Sequence, residues 1–309
     1  MKTKIVIAGI GAVGGYFGGV LAKHYETNKE IEINFLARGN HLHKIQLNGL
    51  KVIKGADSFF AHPKIASNNS VEFGLADYII VACKSYDLEN LIEQLKPCIN
   101  QNTIILPLLN GVDSQSRIQK IFINNLVLAG CVYIVARLQE AGIVENIGNI
   151  QTLLFGIDSQ TNERLNHLLT IFEEAKIEAS LSNNISTILW EKFIFISPTA
   201  TATSYFNESI GQCLNDGEKL SMIMELIEEV KLIANAHGIK VSDDITQKTL
   251  NKLKAMPFEA TSSMHSDYKN NKPQTELSSL TGYVVAEGKK FNISTPVYEK
   301  MYKELIARL

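Results

Sequence analysis

The stretch that decides the fold is Ile5-Val6-Ile7-Ala8-Gly9-Ile10-Gly11-Ala12-Val13-Gly14-Gly15-Tyr16-Phe17-Gly18-Gly19. Ile5 to Ala8 form a short apolar run of the kind that makes a buried strand, and the apolar pattern from about Ala12 to Tyr25 has the period of a helix. Between them lies GxGxxG. Each glycine there has a physical reason: a tight turn at Gly9, close approach of an anion to the backbone at Gly11, and close helix–strand packing at Gly14. The unpaired N–H groups at the helix start, around Gly11, Ala12 and Val13, add to the helix dipole and suit a diphosphate. A second apolar run, Ile31 to Leu36, follows at the spacing of a βαβ unit. The stretch therefore predicts the phosphate-binding corner of a dinucleotide-binding fold.

The end of the second strand selects the dinucleotide. NAD-binding folds usually place an acidic residue there to accept from the ribose hydroxyls. Here the chain reads Leu36-Ala37-Arg38-Gly39. Arg38 offers a planar, permanently charged fork that matches a phosphate, and no carboxylate neighbours it in sequence. NADP(H) is the expected cofactor; a solvated surface arginine is the alternative reading of the same residue.

Two further strands are expected at Tyr78–Ala82 and Thr103–Leu106, separated by a helix with Leu88, Leu91, Ile92 and Leu95 on its apolar face. They run into Cys83-Lys84-Ser85 and Leu109-Asn110-Gly111, and ligands of open parallel sheets collect at such carboxyl ends. Lys84 could steer an anionic substrate there, and the Asn110 amide could bond the nicotinamide or the substrate. From about Leu126 to Phe155, glycine-punctuated shorter strands read as an antiparallel extension of the same sheet, closed by a helix at about 160–176. After Ser182-Asn183-Asn184 the pattern turns helical, at about 185–195, 217–237, 243–254 and from 277. The expectation is an α/β protein: an N-terminal Rossmann-type NADP-binding domain over residues 1–182, then an all-helical substrate and catalytic domain over 183–309.

Composition narrows the function classes. With 309 residues, 20% charged residues and a net charge of -2, the chain has no positive excess to neutralise a nucleic-acid backbone. Its four cysteines, Cys83, Cys98, Cys131 and Cys213, show no CxxC or metal-ligand spacing and read as buried thiols of a reducing compartment. The N-terminal Lys2-Thr3-Lys4 and its apolar sequel imitate a secretory signal, but the regular glycines argue against an h-region. No segment reaches the roughly 18 consecutive apolar residues of a membrane span. A cytoplasmic protein with no metal and no membrane or nucleic-acid partner is the expectation.

In the second half, Trp190-Glu191-Lys192-Phe193 places a lysine among apolar residues, where an unpaired charge is costly. Lys192 could snorkel to water or act as a proton donor. Thr261-Ser262-Ser263-Met264-His265-Ser266-Asp267 reads first as a helix cap. The helix from Leu220 to Ile233 carries more apolar residues than one face needs, which burial inside the domain or a homodimer would each satisfy.

Taken in order, GIGAVGGYFGG at 9–19, Arg38-Gly39, Ala82-Cys83-Lys84, Leu109-Asn110-Gly111-Val112, Trp190-Glu191-Lys192, Thr261-Ser262-Ser263-Met264 with Asp267, Thr275-Glu276, Gly282, Gly288 and Pro296 resemble the ketopantoate reductase (2-dehydropantoate 2-reductase) family nearly end to end. The resemblance implies reduction of a 2-oxo acid, with hydride from NADPH delivered to the ketone carbon and a lysine protonating the carbonyl oxygen. Lys192 matches the family's general acid, Glu276 the carboxylate near it, Lys84 and Asn110 the groups at the cofactor–substrate junction, and Ser263 a hydrogen bond to substrate. The developing alkoxide needs such a proton, and a neighbouring carboxylate would keep the lysine charged. The chain departs from the family where two asparagines commonly follow the lysine by four and eight residues: here stand Ile196 and Ala200. The missing donor would pass to Ser197 or Thr201, or signal another 2-oxo acid. A reductase of a different oxo acid and a non-catalytic NADP(H)-sensing protein are the other readings.

Overall fold

Ile5, Val6, Ile7 and Ala8 are wholly buried, Ile5 and Ile7 in one apolar cluster and Val6 and Ala8 in another, as a strand covered on both faces requires. Around this strand the computed structural model, which describes residues 2–309, builds the first of two units. That unit comprises the chain up to Leu109 with Asp113–Ile185; the second comprises Asn110–Val112 with Ser186–Leu309.

In chain order the first unit runs β1 (Thr3–Ala8), α1 (Ala12–His24), β2 (Ile31–Leu36), α2 (Gly39–Asn48), β3 (Leu50–Lys54), β4 (Asp57–Ala61), β5 (Ile65–Ser67), β6 (Tyr78–Val81), α3 (Leu88–Leu95), β7 (Ile104–Pro107), α4 (Ser114–Ile121), β8 (Leu126–Val127), β9 (Ala129–Glu140), β10 (Ile143–Gly156), α5 (Glu163–Glu174) and β11 (Glu178–Ser182). One sheet is parallel throughout, in the order β5-β2-β1-β6-β7-β8. This is the doubly wound arrangement expected from the glycine stretch.

The expected antiparallel extension of this sheet is corrected. Only the two-residue β8 extends it, and in parallel, whereas β9 and β10 belong to a second sheet in the order β11-β10-β3-β4 with β9 on the remaining edge of β10. The first residues of β10, Ile143–Asn146, pair with β3, and its last, Thr152–Gly156, with β11. These partners lie up to about ninety residues away, so no local hydrophobic period announces them. Helix α1 packs on both sheets and is buried on nearly every side. The sequence allows this because Gly15 faces Val144 and Gly19 faces Val52, where an added Cβ would stand 2.6 and 2.5 Å from a valine methyl.

Among the described residues the second unit has helices and no strand: α6 (Ile185–Phe206), α7 (Ile210–Asn215), α8 (Gly217–Ala236), α9 (Ile245–Lys254), α10 (Ser263–Lys269), a π turn at Ser278–Gly282, α11 (Tyr283–Phe291) and α12 (Pro296–Ile306). Helix α6 continues eleven residues beyond the expected end at Phe195, through Pro198. Proline removes one helical N–H. Hydroxyls just beyond it bond back to the helix, Thr199 Oγ1 to the Phe195 carbonyl (2.6 Å) and Thr203 Oγ1 to that of Thr199 (2.7 Å). The apolar side of α8 is accounted for within the unit: Ile223, Leu226, Ile227, Val230 and Ile233 are fully buried in its core. Glu229 of α8, also buried, accepts from the backbone N–H groups of Val297 (2.9 Å) and Tyr298 (3.0 Å) and so caps the start of α12. Burial raises its carboxyl pKa.

Candidate active site

The glycine corner is shaped by backbone contacts that leave no room for side chains. Gly9 takes φ +93°, and a Cβ there would meet the Ala82 carbonyl oxygen at 2.9 Å. A Cβ on Gly14 would stand 2.0 Å from the Gly9 oxygen and 2.9 Å from the Ala82 Cβ. Turn, helix and the end of β6 are therefore in van der Waals contact, as helix–strand packing at this motif requires. Gly11, the N-cap of α1, differs: a Cβ would have nothing within 4 Å. No side chain caps this helix start and its first turn holds no acidic residue. Open space at Gly11, with the uncapped first N–H groups of α1 beside it, fits the diphosphate of a dinucleotide.

Arg38 is the N-cap of α2, and its side chain is 80% exposed. No carboxylate neighbours it in sequence, but the fold brings one: Nη2 donates to Oδ2 of Asp87 at 2.9 Å. Asp87 ends the short 3-10 turn Ser85–Asp87 that follows Lys84, so the turn after β6 reaches the arginine after β2. This turn is anchored from behind. Arg117 of α4 donates to both carboxylate oxygens of Glu89 (2.8 and 2.7 Å) and to the Ser85 carbonyl (2.8 Å). Its Nη1 also reaches Asp113 at 3.4 Å, and burial raises the pKa of that carboxyl. Lys84, half-buried, precedes the same turn, its backbone carbonyl accepting from the Asp87 N–H at 2.9 Å.

His41, one turn into α2, accepts the Gly142 N–H on Nδ1 at 2.8 Å. That bond requires an unprotonated Nδ1, and burial lowers the pKa of the ring. The histidine thus ties the helix that begins at Arg38 to the β9–β10 turn.

In the second unit the sequence-selected lysine and asparagine meet: Lys192 Nζ donates to Asn110 Oδ1 at 3.1 Å. Asn110 follows β7 in the chain but belongs with the helical unit, as do Gly111 and Val112. Glu276 is buried (3% exposed) just before the π turn. Ser263 lies exposed at the first residue of α10, while Ser262 caps that helix by accepting from the His265 N–H at 3.0 Å. Helix capping is thus what Ser262 does, and Ser263 is the hydroxyl left facing outward.

The departure at Ile196 and Ala200 is not compensated by the neighbouring hydroxyls. Ser197 is fully buried, bonded to the Leu280 carbonyl (3.1 Å) and the Tyr298 hydroxyl (2.6 Å). Thr201 is equally buried against the Thr281 hydroxyl (2.8 Å). Both hydroxyls are committed to the core, which corrects the expectation that either supplies the missing donor. Ile196 is half-buried and Ala200 buried.

Of the cysteines, Cys98, Cys131 and Cys213 are buried and Cys83 is half-buried. Burial pushes the Cys98 and Cys213 thiols up to about 11, which makes them inert at neutral pH. Among the described residues no cluster of His, Cys, Asp or Glu could hold a metal ion, and no helix is long and apolar enough to cross a membrane.

The family profile described as ketopantoate reductase PanE/ApbA matches residues 5–159, and the profile of its C-terminal domain matches 184–308. The chain belongs to the ketopantoate reductase family. It is accordingly an oxidoreductase acting on a CH–OH/C=O pair, which sets aside the non-catalytic sensor, and the family's members depend on NAD(P)H. Its fold is that of the 2-dehydropantoate 2-reductase of Porphyromonas gingivalis W83, to which it is 34% identical with 99% of this chain and 100% of that one covered and a TM-score of 0.87. It is 27% identical to an uncharacterized oxidoreductase, YkpB, of Bacillus subtilis, over 98% of this chain and 97% of that protein. It is also 27% identical to a 2-dehydropantoate 2-reductase of Streptococcus pyogenes serotype M3, over 98% and 96%. The reductase also contains partners that sequence reasoning passed over, Asp87, Arg117 and His41. Each acts on a residue dozens of positions away, and no local spacing signals it.

Proposed function

We propose that this reductase converts 2-dehydropantoate (ketopantoate) to pantoate with NADPH, in the pathway to pantothenate and coenzyme A in the cytoplasm. The observation that carries this reading is the bond from Lys192 Nζ to Asn110 Oδ1, because it unites the two polar side chains that match the family's proton donor and its junction residue. In this reading the N–H groups of Gly11, Ala12 and Val13 hold the diphosphate, Gly9 and Gly14 shape that corner, and Arg38 holds the 2′-phosphate. Lys84 and Asn110 serve the cofactor–substrate junction and Ser263 bonds the substrate. The bound nicotinamide would supply hydride to the ketone carbon. Asn110 fixes the direction of the Lys192 ammonium, which passes a proton to the carbonyl oxygen as charge develops there. Glu276, buried in the same unit, would favour the charged lysine.

A second reading, reduction of a different 2-oxo acid, draws support from Ile196 and Ala200, which offer no donor where the neighbouring hydroxyls are already bonded in the core. A site built around an apolar contact would prefer an acid lacking a polar group there. NADPH oxidation followed at the nicotinamide absorbance with a panel of oxo acids separates the two. Ketopantoate turnover that falls at least about 100-fold in kcat in Lys192→Ala, with NADPH affinity unchanged, is the expected result. Turnover of other oxo acids with none of ketopantoate would overturn the first reading in favour of the second.

A further inference from the structure

The contact between Arg38 and Asp87 changes what Arg38 implies. An arginine at the end of the second strand suits a 2′-phosphate, whereas an acidic group at the ribose suits the free hydroxyls of NAD(H). This chain has both: the arginine is 80% exposed and its Nη2 is 2.9 Å from the Asp87 carboxylate. The acid is not a drifting surface residue. It closes the turn that Arg117 fixes through the Ser85 carbonyl and the Glu89 carboxylate.

We propose that Asp87 is a specificity-determining residue for the cofactor: it holds the Arg38 guanidinium when no 2′-phosphate is present, opposes that phosphate when it arrives, and can accept a ribose hydroxyl of NADH. The inference rests on the reading of Arg38 as the 2′-phosphate partner. The phosphate brings close to two negative charges to a guanidinium already engaged, so it must displace a carboxylate or share the cation with it, at close range in either case. NADH brings no such charge and meets no such opposition. The pair therefore makes the preference for NADPH smaller than Arg38 alone would set, and the reductase accepts both nicotinamides.

Binding of NADPH and NADH to the intact protein, followed by fluorescence titration for wild type, Asp87→Asn, Arg38→Ala and the double variant, tests this. Asp87→Asn should raise the ratio of NADPH to NADH affinity about tenfold at low salt, mainly through tighter NADPH. The gain should shrink as salt is added, and in the Arg38→Ala background only the part due to direct repulsion between Asp87 and the phosphate should remain. Asp87→Ser, which also lacks the charge, should move the ratio in the same direction, and unchanged thermal melts would verify that each variant is folded. If both Asp87 variants leave the ratio at the wild-type value while Arg38→Ala still weakens NADPH, the role of Asp87 is refuted and that of Arg38 stands. If Arg38→Ala leaves NADPH binding unaltered, the reading of Arg38 fails and the role of Asp87 with it.

Discussion

Replacing Gly14 and Gly11 separately by alanine distinguishes the glycine that builds the phosphate corner from the one that leaves it open. At Gly14 a methyl would sit 2.0 Å from the Gly9 carbonyl oxygen, against the roughly 3.5 Å at which carbon atoms make favourable contact. The shortfall of about 1.5 Å cannot be relieved by a rotamer, because the opposing atom is backbone and Gly9 is held at φ +93° against Ala82. Either α1 or the turn must move. Overpacking of this kind costs about 1–3 kcal/mol, and a backbone obstacle puts Gly14→Ala at the upper end. At roughly 2–4 °C per kcal/mol for a domain of 150–250 residues, its melting temperature should fall by about 6–12 °C. Gly11 has φ −83° and open space around its Cβ position, so alanine fits the backbone there. Exchanging glycine for alanine at an N-cap costs at most about 1 kcal/mol, and Gly11→Ala should melt within about 4 °C of wild type. Its methyl would nonetheless stand where the diphosphate is expected, and NADPH affinity should drop at least about tenfold, or 1.4 kcal/mol. Thermal unfolding and NADPH fluorescence titration read the two effects independently. A Gly14→Ala protein that melts with wild type, or a folded Gly11→Ala protein that binds NADPH normally, would refute the reasoning.

Two further outcomes concern the scaffold. The pKa of His41 is lowered by burial, so the folded state binds fewer protons than the unfolded chain below the usual histidine value; its contribution is whole above about pH 6.5 and is lost as pH falls below that. Wild type should therefore lose more melting temperature between pH 7.5 and 5.5 than His41→Asn, and equal losses would remove His41 as the cause. His265, also lowered by burial, works in the same direction and contributes to the slope the variant keeps. Glu229→Ala leaves two buried N–H groups of α12 without their acceptor and should cost about 2–4 kcal/mol in urea unfolding, counting 1–2 for each. Glu229→Gln, which keeps an oxygen for one N–H but turns its amide NH2 toward the other, should cost about half of that; equal losses would mean the carboxylate serves by its charge.

The parts of the fold that could be read from the chain are those whose signals are local. The run Ile5–Ala8, the glycine spacing at 9–14 and the second strand sit within thirty-six residues, and each constrains the next. The second sheet left no such trace, since β10 takes β3 as partner at one end and β11 at the other. Its hairpin was legible as strands, but not the sheet it joins. Helix α6 runs past the expected end at Phe195, through Pro198 and alternating serines and threonines that carry no helical apolar period. Buried hydroxyl partners such as Tyr298 and Thr281 make that segment a core helix. The candidate site divides in the same way. Lys192 and Asn110 stood out as polar residues at strategic positions, while Asp87 lies forty-nine residues from Arg38 and gains meaning only when the turn after β6 is in place.

Asn110–Val112 are a short excursion of the chain into the helical unit before it returns to the first unit at Asp113. Modularity is the casualty. A single cut near residue 185 yields two fragments, and the C-terminal one would carry Lys192 without the oxygen it bonds. The helical half cannot be exchanged between homologues as a cassette unless the tripeptide travels with it. Recombination at that apparent boundary would also mismatch the two sides of the Lys192–Asn110 contact whenever they had drifted apart. Chimaeras made with and without the transplanted tripeptide would differ in turnover long before they differed in folding.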